Sequence, residues 1–383
     1  MKMVKLDEIS NIIAGQSPPS STYNRDGKGL PFFQGKADFG LTYPSVRIWC
    51  NNPKKIAENG DILISVRAPV GSTNLCNTKA CIGRGLSAIR TNSQISNYFL
   101  LYYLRFIEKK ILSIGKGSTF KAITQDDLQH IEVPLPSVEE QEHIVSSLDL
   151  ADNIRQKRKQ AINLLDEYLK SVFEDLFDKC ITQYDTGTTE LRSYIKVIGG
   201  YAFKSTDFVK DGIPVIKIGT VNKGFFDLSA CSFISSKVLN NKNIERFRVI
   251  PGELLISLTG TVGKEDYGNI CEATPQYPNY LLNQRVAKID YDNNTFTKEF
   301  LFFFFKNKKV KSQLTKISRG VRQANISNED ILKIRLVVPD ISKQIKFSKI
   351  VQDIMNLKEK MSEQSEELDN QFQAFMQKSF SVN

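Results

Sequence analysis

The sequence contains few of the residues from which most catalytic sites are built. Only two of its 383 residues are histidine, His130 and His143. A histidine-based metal site or a Ser–His–Asp triad is difficult to assemble from so few. The six cysteines include no CxxC pair, so they predict neither a zinc site nor a disulfide framework. Such cysteines are typical of a reducing compartment, and we expect packing thiols in a cytoplasmic protein.

Long hydrophobic runs and a secretory leader are also absent from the sequence. The apolar run FLFFFF at Phe300–Phe305 is far shorter than a membrane span, and a group of lysines follows it. The first ten residues, MKMVKLDEIS, become acidic at once and do not resemble a signal peptide. We therefore expect no membrane association.

The usual phosphate-binding and methyltransferase motifs are missing as well. The sequence GTVGKE at Gly260–Glu265 has the Gly-Lys of a P-loop, but lacks the first glycine and the Ser or Thr after the lysine. No GxGxxG follows a candidate strand, and no Asn-Pro-Pro-aromatic or Asp-Pro-Pro-Tyr sequence occurs. The chain is therefore predicted to be non-catalytic and to bind no cofactor or metal itself.

What the sequence does contain is a passage that occurs twice. Gly117–Pro136 (GSTFKAITQDDLQHIEVPLP) and Gly320–Pro339 (GVRQANISNEDILKIRLVVP) share their end residues, an Ile followed by Thr or Ser, and two acidic residues. The repeat extends outward, because Gly60–Gly71 matches Gly252–Gly263 and NYFLLYYLRF matches KEFLFFFFKN. The separation grows from 192 to 203 residues along the chain. Short insertions between two copies of a duplicated domain would produce this drift.

Each copy is followed by a segment without proline or glycine. Ser137 and Glu140 form the Ser-x-x-Glu capping box that starts a helix. Apolar residues then recur at steps of three and four, and the second stripe repeats the first 203 residues later. This phase predicts a coiled coil, with two helices lying on separate cores as the alternative. The predicted helix–helix packing residues are Ile144, Leu148, Leu165, Leu169, Phe347, Val351, Leu368 and Phe372.

These segments divide the chain into two domains, residues 1–136 and 179–341, and two long helices, residues 137–178 and 342–383. A helix of about 40 residues is about 60 Å long. Because the ends of a domain often lie close together, we predict that the helices run antiparallel. The expected fold is α+β, with two similar mixed α/β heads separated by the helices and related by a pseudo-two-fold axis.

The positive charge of the chain is concentrated in the two domains. The net charge is +10, of which residues 1–138 carry +7, residues 139–178 carry −5, residues 179–342 carry +8 and the remainder 0. Two basic domains fit two-point binding of a polyanion and favour nucleic acid. A solvated basic surface and a membrane surface are the alternatives.

The chain resembles the DNA-specificity subunits of type I restriction–modification enzymes over nearly its whole length. The resemblance depends on Gly15–Gly40 (GQSPPSSTYNRDGKGLPFFQGKADFG), Cys81–Arg90, Gly117–Phe173, Gly200–Gly224 and Leu282–Ile289, together with the repeated passages. It implies that each head is a target-recognition domain that reads one half of a bipartite, asymmetric DNA site. It also implies a helical rod that sets the spacing and docks two modification (methyltransferase) subunits, which restriction subunits join. S-adenosylmethionine, ATP and magnesium are then expected on those partners.

The residues predicted to contact DNA are those whose chemistry suits phosphates or base edges. Lysine and arginine bind phosphates, whereas arginine on guanine and glutamine or asparagine on adenine read sequence. Two glycine-flanked loops at the same repeat position, KGSTFK and RGVRQAN, have this chemistry. The candidates are Arg67, Arg84, Lys116, Ser118, Thr119, Lys121, Lys264, Arg285, Arg319, Arg322, Gln323 and Asn325. Each could instead be a solvent-facing or structural residue, and Arg84 and Arg285 are expected in corresponding strands.

Two further functions remain open from the sequence. The chain could serve as the specificity module of a related restriction or methylation assembly, or as an unassembled alternative specificity subunit. A nuclease in its own right is disfavoured because no metal-binding carboxylate pattern occurs. The carboxylate pairs Asp126/Asp127 and Glu329/Asp330 instead resemble the first turns of short helices capped by Thr124 and Ser327.

Overall fold

The structure is a computed structural model that describes residues 2–115, 122–182, 188–261, 266–317 and 323–381. Its internal contacts divide the chain into two units. Unit 1 comprises Met1–Gln160 with Ser362–Asn383, and unit 2 comprises Ala161–Met361. Each unit therefore contains one globular domain and part of each long helix.

Unit 1 is built from short strands and helices that form a two-, a four- and a five-stranded sheet in its described residues. Its strands are β1 (Lys2–Lys5), β2 (Ser10–Ala14), β3 (Tyr23–Asn24), β4 (Leu30–Phe33), β5 (Trp49–Cys50), β6 (Ile56–Ala57), β7 (Ile62–Ser65), β8 (Thr73–Leu75), β9 (Ala80–Ile82), β10 (Leu86–Thr91) and β11 (Glu132–Leu135). Its helices are α1 (Leu6–Ile9), α2 (Asn97–Phe106), α3 (Glu108–Ile114), α4 (Gln125–Gln129) and the start of α5 (Val138–Thr182), with 3-10 turns at Ser20–Thr22 and Lys36–Asp38. The strand orders are β1-β11, β2-β10-β7-β8 and β3-β5-β4-β9-β6.

Unit 2 repeats this arrangement. Its strands are β12 (Thr189–Glu190), β13 (Ile195–Gly199), β14 (Phe208–Val209), β15 (Ile213–Ile216), β16 (Ser232–Ile234), β17 (Arg248–Val249), β18 (Leu254–Ser257), β19 (Thr259–Thr261), β20 (Ile270–Glu272), β21 (Tyr280–Leu282), β22 (Val286–Tyr291), β23 (Gln323–Asn325) and β24 (Arg335–Leu336). Its helices are α6 (Ile218–Val221), α7 (Lys242–Glu245), α8 (Lys298–Lys306), α9 (Lys308–Ile317), α10 (Asn328–Leu332) and the start of α11 (Ile341–Phe380), with 3-10 turns at Leu191–Ser193, Ser205–Asp207, Leu228–Ala230 and Ser236–Asn240. The strand orders are β12-β24, β13-β22-β18-β20, β14-β16-β15-β21-β17 and β19-β23.

One inner strand of each four-stranded sheet, β7 in unit 1 and β18 in unit 2, is buried on both faces and is called its central strand. In β7, Ile62 and Ile64 pack into one hydrophobic cluster and Leu63 into another. In β18, Leu254 and Ile256 pack into one cluster and Leu255 into a second. Successive side chains of a strand point to opposite faces, so an unbroken apolar run is expected where both faces are covered. The repeated sequences DILIS and ELLIS therefore place the same strand at the centre of each domain.

The five-stranded sheets are mixed, because each contains one parallel pair among antiparallel ones. β4 runs parallel to β9 in unit 1, and β15 runs parallel to β21 in unit 2. The backbone hydrogen bond from Gly83 to Phe33 recurs as that from Asn283 to Ile216. The predicted α+β class and the two similar mixed domains are confirmed.

The two long helices run antiparallel in both units. In unit 1, Arg155 of α5 bonds Asp369 of α11, and Arg158 bonds Gln364, so rising numbers on one helix meet falling numbers on the other. In unit 2, the ammonium group of Lys358 lies 2.6 Å from the carboxylate of Asp166. There the ring of Phe177 contacts that of Phe347, again with the numbers in opposite order.

The helix bounds differ from those expected from the sequence. Helix α5 continues four residues beyond residue 178, because its last turn packs Ile181 into the core of unit 2. Helix α11 begins at Ile341 and ends at Phe380. Of the residues predicted to pack between helices, the buried ones are Ile144, Leu148, Leu169, Phe347 and Phe372, and the half-buried ones are Leu165, Val351 and Leu368.

A buried glutamine fixes the start of each long helix. In unit 1, the Gln141 side chain accepts a hydrogen bond from the Ser96 amide at 2.8 Å and donates to two carbonyls, those of Gln94 and Pro136. In unit 2, Gln344 accepts from Thr297 at 3.0 Å and donates to two carbonyls in the same way. Every polar atom of these amides is used, as burial requires.

Polar side chains cap the short helices as the sequence analysis expected. Thr124 caps α4 and Ser327 caps α10, each accepting a hydrogen bond from an acidic residue's amide three positions on, so the expected short capped helices are confirmed. The six cysteines are free thiols, and burial raises the pKa of Cys76 and of Cys81 to about 11. Within the described part of the chain, no helix is long and apolar enough to cross a membrane.

Candidate nucleic-acid interface

The first candidate surface lies where β7 leaves the core of unit 1. The amide of Ile123 donates to the carbonyl of Val66 at 3.1 Å, and the next residue, Arg67, forms an isolated bridge with Ala122. We call this pair of backbone contacts the crossing. It joins the residues that follow the central strand to the segment just after the glycine-flanked loop KGSTFK. The Arg67 side chain is exposed there.

Unit 2 contains the same crossing in an extended form. The amide of Ile326 donates to the carbonyl of Leu258 at 2.9 Å, and Thr259 pairs with Asn325. The pairing continues to Thr261, so the isolated bridge of unit 1 becomes the ladder between β19 and β23. Asn325 is exposed, as expected for a residue available to a ligand.

The turn before β10 and the turn before β22 lie beside these crossings. The carbonyl of Gly85 accepts the amide of Val66, and the carbonyl of Arg285 accepts the amide of Leu258, both at 3.0 Å. Gly85 and Arg285 are therefore equivalent. The Arg84 amide donates to the Ser17 hydroxyl at 3.2 Å.

The expectation that Arg84 and Arg285 lie in corresponding strands was wrong. Both residues are exposed in the turn that precedes the strand, and the equivalent of Arg84 is Gln284. The glycines in CIGRGL, which allow a tight turn, have Asn and Arg in their places in LNQRV. Sequence alone therefore did not show where the strand begins.

Seven of the remaining candidates lie outside the described residues, namely Lys116, Ser118, Thr119, Lys121, Lys264, Arg319 and Arg322. Gln323 is described by its backbone alone. The roles suggested for these residues stay predictions.

A cavity of about 690 Å³ opens on the surface of unit 1 next to Arg67. Its lining includes Ala68 and Pro69, apolar residues such as Phe32 and Ile48, and three exposed cationic side chains, Arg25, Lys36 and Arg47. One buried carboxylate, Asp38, lies at its base and contacts the guanidinium of Arg47. Three cations against one anion give the cavity a net positive charge.

Unit 2 has a smaller cavity of about 390 Å³ at the equivalent place. Arg285, Asn222 and the strand residues Thr259–Thr261 line it. Asp266 also lines the cavity, and its carboxylate accepts a 2.7 Å hydrogen bond from the Thr261 amide. Within the described residues, the buried Oδ1 atom of Asn222 has no hydrogen-bond partner.

Each unit also has an ion pair beside the four-stranded sheet, at the end of the central strand opposite the crossing. Asp61 accepts two hydrogen bonds from Arg90, at 2.9 and 2.8 Å, and the bond to Asp61 raises the pKa of Arg90. Glu253, which matches Asp61 in the repeat, is 2.9 Å from the ammonium group of Lys288. Because both units have such a pair, we assign it to the framework.

The duplicated organisation matches one known protein family. The family model of the type I restriction modification DNA specificity domain matches residues 1–164 and 185–370. The chain belongs to this family. The family resemblance inferred from the sequence motifs is therefore confirmed, and specificity subunits are the non-catalytic members of type I restriction–modification enzymes.

Relatives of this chain match it over different lengths. The putative type I restriction enzyme MjaX specificity subunit of Methanocaldococcus jannaschii is 50% identical over 160 residues, which span 41% of this chain and only 38% of that protein. The EcoBI specificity subunit of Escherichia coli is 20% identical over 399 residues, covering 92% and 78%. The crystal structure of a type I restriction-modification system S subunit from M. genitalium is similar to this chain with a TM-score of 0.54 at 16% sequence identity. The match spans 100% of this chain and 96% of that chain, and it shows that the fold is shared.

Sequence reasoning did not identify the cationic cavity of unit 1 in this specificity subunit. Lys36 and Asp38 share one 3-10 turn, Arg25 and Arg47 lie in two other loops, and no periodic spacing connects the four residues. The first three fall within GQSPPSSTYNRDGKGLPFFQGKADFG, which contributed to the family resemblance. The contact between Asp38 and Arg47 depends on the folding of the intervening loop and has no sequence signal.

Proposed function

We propose that this specificity subunit reads a bipartite, asymmetric site in double-stranded DNA, one half with each unit. The observation that carries the proposal is the duplicated crossing, which holds Arg67 beside Ala122 in unit 1 and Thr259 beside Asn325 in unit 2. A surface cavity with at least one exposed arginine adjoins each crossing. Cations supply affinity for phosphates, and side chains that differ between the units supply two different half-site sequences.

The long helices dock two modification subunits in this proposal. Several large apolar side chains on them are at least 44% exposed, which is unusual for helices that already pack against each other. In unit 1 these are Val138, Leu150 and Ile154, and in unit 2 they are Leu164, Tyr168, Ile345, Met355 and Leu357. Ile154 and Leu357 occupy matching positions 203 residues apart. Two copies of one subunit would suit two such matching faces.

The chemistry belongs to those partners in this proposal. S-adenosylmethionine is bound by the modification subunits, and ATP and magnesium are bound by restriction subunits that join the complex. Cytoplasmic location, where DNA and such subunits meet, is part of the same proposal.

The experiment is to purify the full chain alone and together with a modification subunit, and to test both on DNA with randomised positions. We expect selection of a two-part sequence, and methyl transfer only in the presence of the modification subunit. Absence of any sequence preference in the complex would refute the proposed function. Methyl transfer or DNA cleavage by the pure chain alone would refute its non-catalytic role.

The spacing between half-sites is proposed to depend on the long helices. One heptad inserted after Gln160 in α5 and another after Met361 in α11 keeps each apolar stripe in phase. Seven residues add about 10 Å of helix, or roughly three base pairs of DNA. We expect a longer preferred spacer, or loss of the original site with each half still recognised. A folded variant that keeps the original spacer at full affinity would contradict this role.

A further inference from the structure

The cavity of unit 1 contains a carboxylate in an unusual position. Asp38 is only 5% exposed, yet it lies in the short turn that follows β4. Its Oδ2 atom accepts the amide of Gln34 at 2.7 Å and, at 3.4 Å, that of Gly35. Its Oδ1 atom is left for Arg47, whose Nε and Nη2 atoms both donate to it. The carboxylate thus connects the turn to one arginine.

Arg47 is held in place although its side chain is 57% exposed. An arginine side chain has five N–H groups, and Asp38 uses the edge formed by Nε and Nη2. Among the described residues no other acceptor bonds this guanidinium. The edge formed by Nη1 and Nη2 therefore keeps two parallel N–H groups for a ligand in the cavity.

The matching position of unit 2 carries no carboxylate. Asp38 lies five residues after Phe33, the end of β4, and Val221 lies five residues after Ile216, the end of β15. The carbonyls of these two strand ends accept equivalent hydrogen bonds, so Asp38 and Val221 occupy matching positions. Val221 is fully buried among apolar side chains. Unit 2 thus builds this position without an ion pair.

We propose that Arg47 reads a guanine in the half-site bound by unit 1, and that Asp38 is the residue that positions it. The inference rests on the proposed DNA-reading function. Arginine donates two parallel hydrogen bonds to O6 and N7 of guanine, and the open edge of Arg47 has this pair of donors. The carboxylate of Asp38 offsets the positive charge of Arg47. The contribution of Arg47 to binding therefore comes from the direction of its two free N–H groups rather than from its charge. Lys36 and Arg25, which have no such partner among the described residues, contact the flanking phosphates.

The test compares base preferences of the full-length chain, with and without its modification subunit, on double-stranded DNA with randomised positions. Arg47→Lys keeps the positive charge and removes the pair of parallel N–H groups. We expect it to lower discrimination at one guanine position of one half-site by about 5- to 150-fold, with affinity for non-specific DNA within about twofold. Asp38→Asn and Asp38→Val, the latter copying unit 2, are expected to weaken discrimination at the same position.

The matched control is the ion pair between Asp61 and Arg90, which is built in the same way in the same unit. Asp61 is 3% exposed and Arg90 is 41% exposed at their side chains. It lies outside the cationic cavity, so Arg90→Lys should leave the base preferences unchanged. Thermal unfolding of each variant shows whether the domain is intact, and the exposed Arg47→Lys decides the question if the Asp38 variants do not fold.

The outcomes separate this inference from the function on which it rests. A wild-type chain that selects no sequence would overturn both. A wild type that selects two half-sites, with an Arg47→Lys profile identical to it, would overturn only the role of Arg47. If Arg47→Lys lowers the affinity for all sequences equally, Arg47 is a phosphate contact. If it lowers base discrimination in both half-sites, Arg47 is a structural residue. Either result overturns guanine reading.

Discussion

Arg155 of α5 and Asp369 of α11 form a 2.7 Å hydrogen bond between Nε and Oδ1, and the repeat reproduces this pair with its charges on the opposite helices. Lys358 is 203 residues after Arg155, and Asp369 is 203 residues after Asp166. Lys358 and Asp166 are paired at 2.6 Å in unit 2. Polar pairs at matching positions of two apolar stripes fix the register of antiparallel helices, because any slip would leave the charges without partners.

Arg155→Ala should destabilise unit 1 by about 1–3 kcal/mol. The side chain is 15% exposed, bonds both Asp152 and Asp369, and lies 4.1 Å from the ring of Phe372. Its removal leaves Asp152 without its ion-pair partner, leaves Asp369 with Lys159 alone, and uncovers the ring of Phe372. Urea unfolding measures the loss, and a double-mutant cycle with Asp369→Ala measures the coupling. Arg158→Ala is the control, since its one bond to Gln364 is exposed, and an equal loss in both variants would contradict the prediction.

The contribution of Asp369 should depend on pH. Burial acts to raise the pKa of this carboxyl, but hydrogen bonds from Arg155 and Lys159 outweigh burial and hold the pKa below its ordinary value. A lowered pKa in the folded state stabilises the protein above the unfolded-state pKa of about 3.9, and that stabilisation disappears as the pH falls.

Asp369→Asn should therefore lower the unfolding midpoint at pH 7 and lower it less at pH 3. The measurement is the difference in urea midpoint between variant and wild type across this range. Glu363→Gln on the same helix is the control, since the structure shows no ion pair for Glu363 in the described residues. A difference for Asp369→Asn that stays constant down to pH 3 would show that the charge of this residue is not responsible.

Gln141→Ala and Gln344→Ala should each loosen only the unit to which the glutamine belongs. Gln141→Ala leaves the Ser96 amide without its acceptor, and Gln344→Ala does the same to Thr297. An unsatisfied buried group costs about 1–3 kcal/mol. Hydrogen exchange should show faster exchange of the Ser96 amide in the first variant and of the Thr297 amide in the second.

The control for both glutamines is Gln371→Ala, because Gln371 is exposed and bonds only Glu367 of its own helix within the described residues. This variant should leave both amides protected. If Gln141→Ala and Gln344→Ala change exchange equally in both units, the glutamines act on the stability of the whole chain rather than on the local helix start.

Arg285→Ala should affect recognition in one half-site alone. The side chain lines the cavity of unit 2, where unit 1 has Gly85 at the equivalent place. Loss of a base contact costs about 1–3 kcal/mol at one position, whereas loss of a phosphate contact weakens all sequences alike. Selection of bound sequences distinguishes the two. Equal degradation of both half-sites would show that Arg285 supports the fold.

Arg67→Ala should weaken binding to every sequence. Arg67 is exposed beside the crossing of unit 1, and we expect it to contact a phosphate. Removing one phosphate contact should reduce the slope of log K against log salt by about 0.9. Titrations at several salt concentrations measure this slope. An unchanged slope with altered base preference would assign Arg67 to base reading instead.

The sequence by itself determined the duplication, the two long helices and the caps of the short helices. Each depends on local patterns that physical chemistry ties to one structure. The Ser-x-x-Glu capping box and the apolar stripe after it predict a long helix, and Thr124 and Ser327 place a cap before each acidic turn.

Only the tertiary structure decided which charged side chains meet. Asp38 and Arg47 are nine residues apart in a non-repetitive loop, and Arg155 and Asp369 are separated by most of the chain. No periodicity encodes such contacts, since they arise when strands and helices pack and bury one partner. The turn before β22 is a second example. The sequence predicted that Arg285 lies in a strand, whereas in the structure its carbonyl accepts a hydrogen bond from Leu258 and the residue lies in the turn. Composition indicated a basic, DNA-binding surface, whereas the arrangement of cations around a buried carboxylate required the fold.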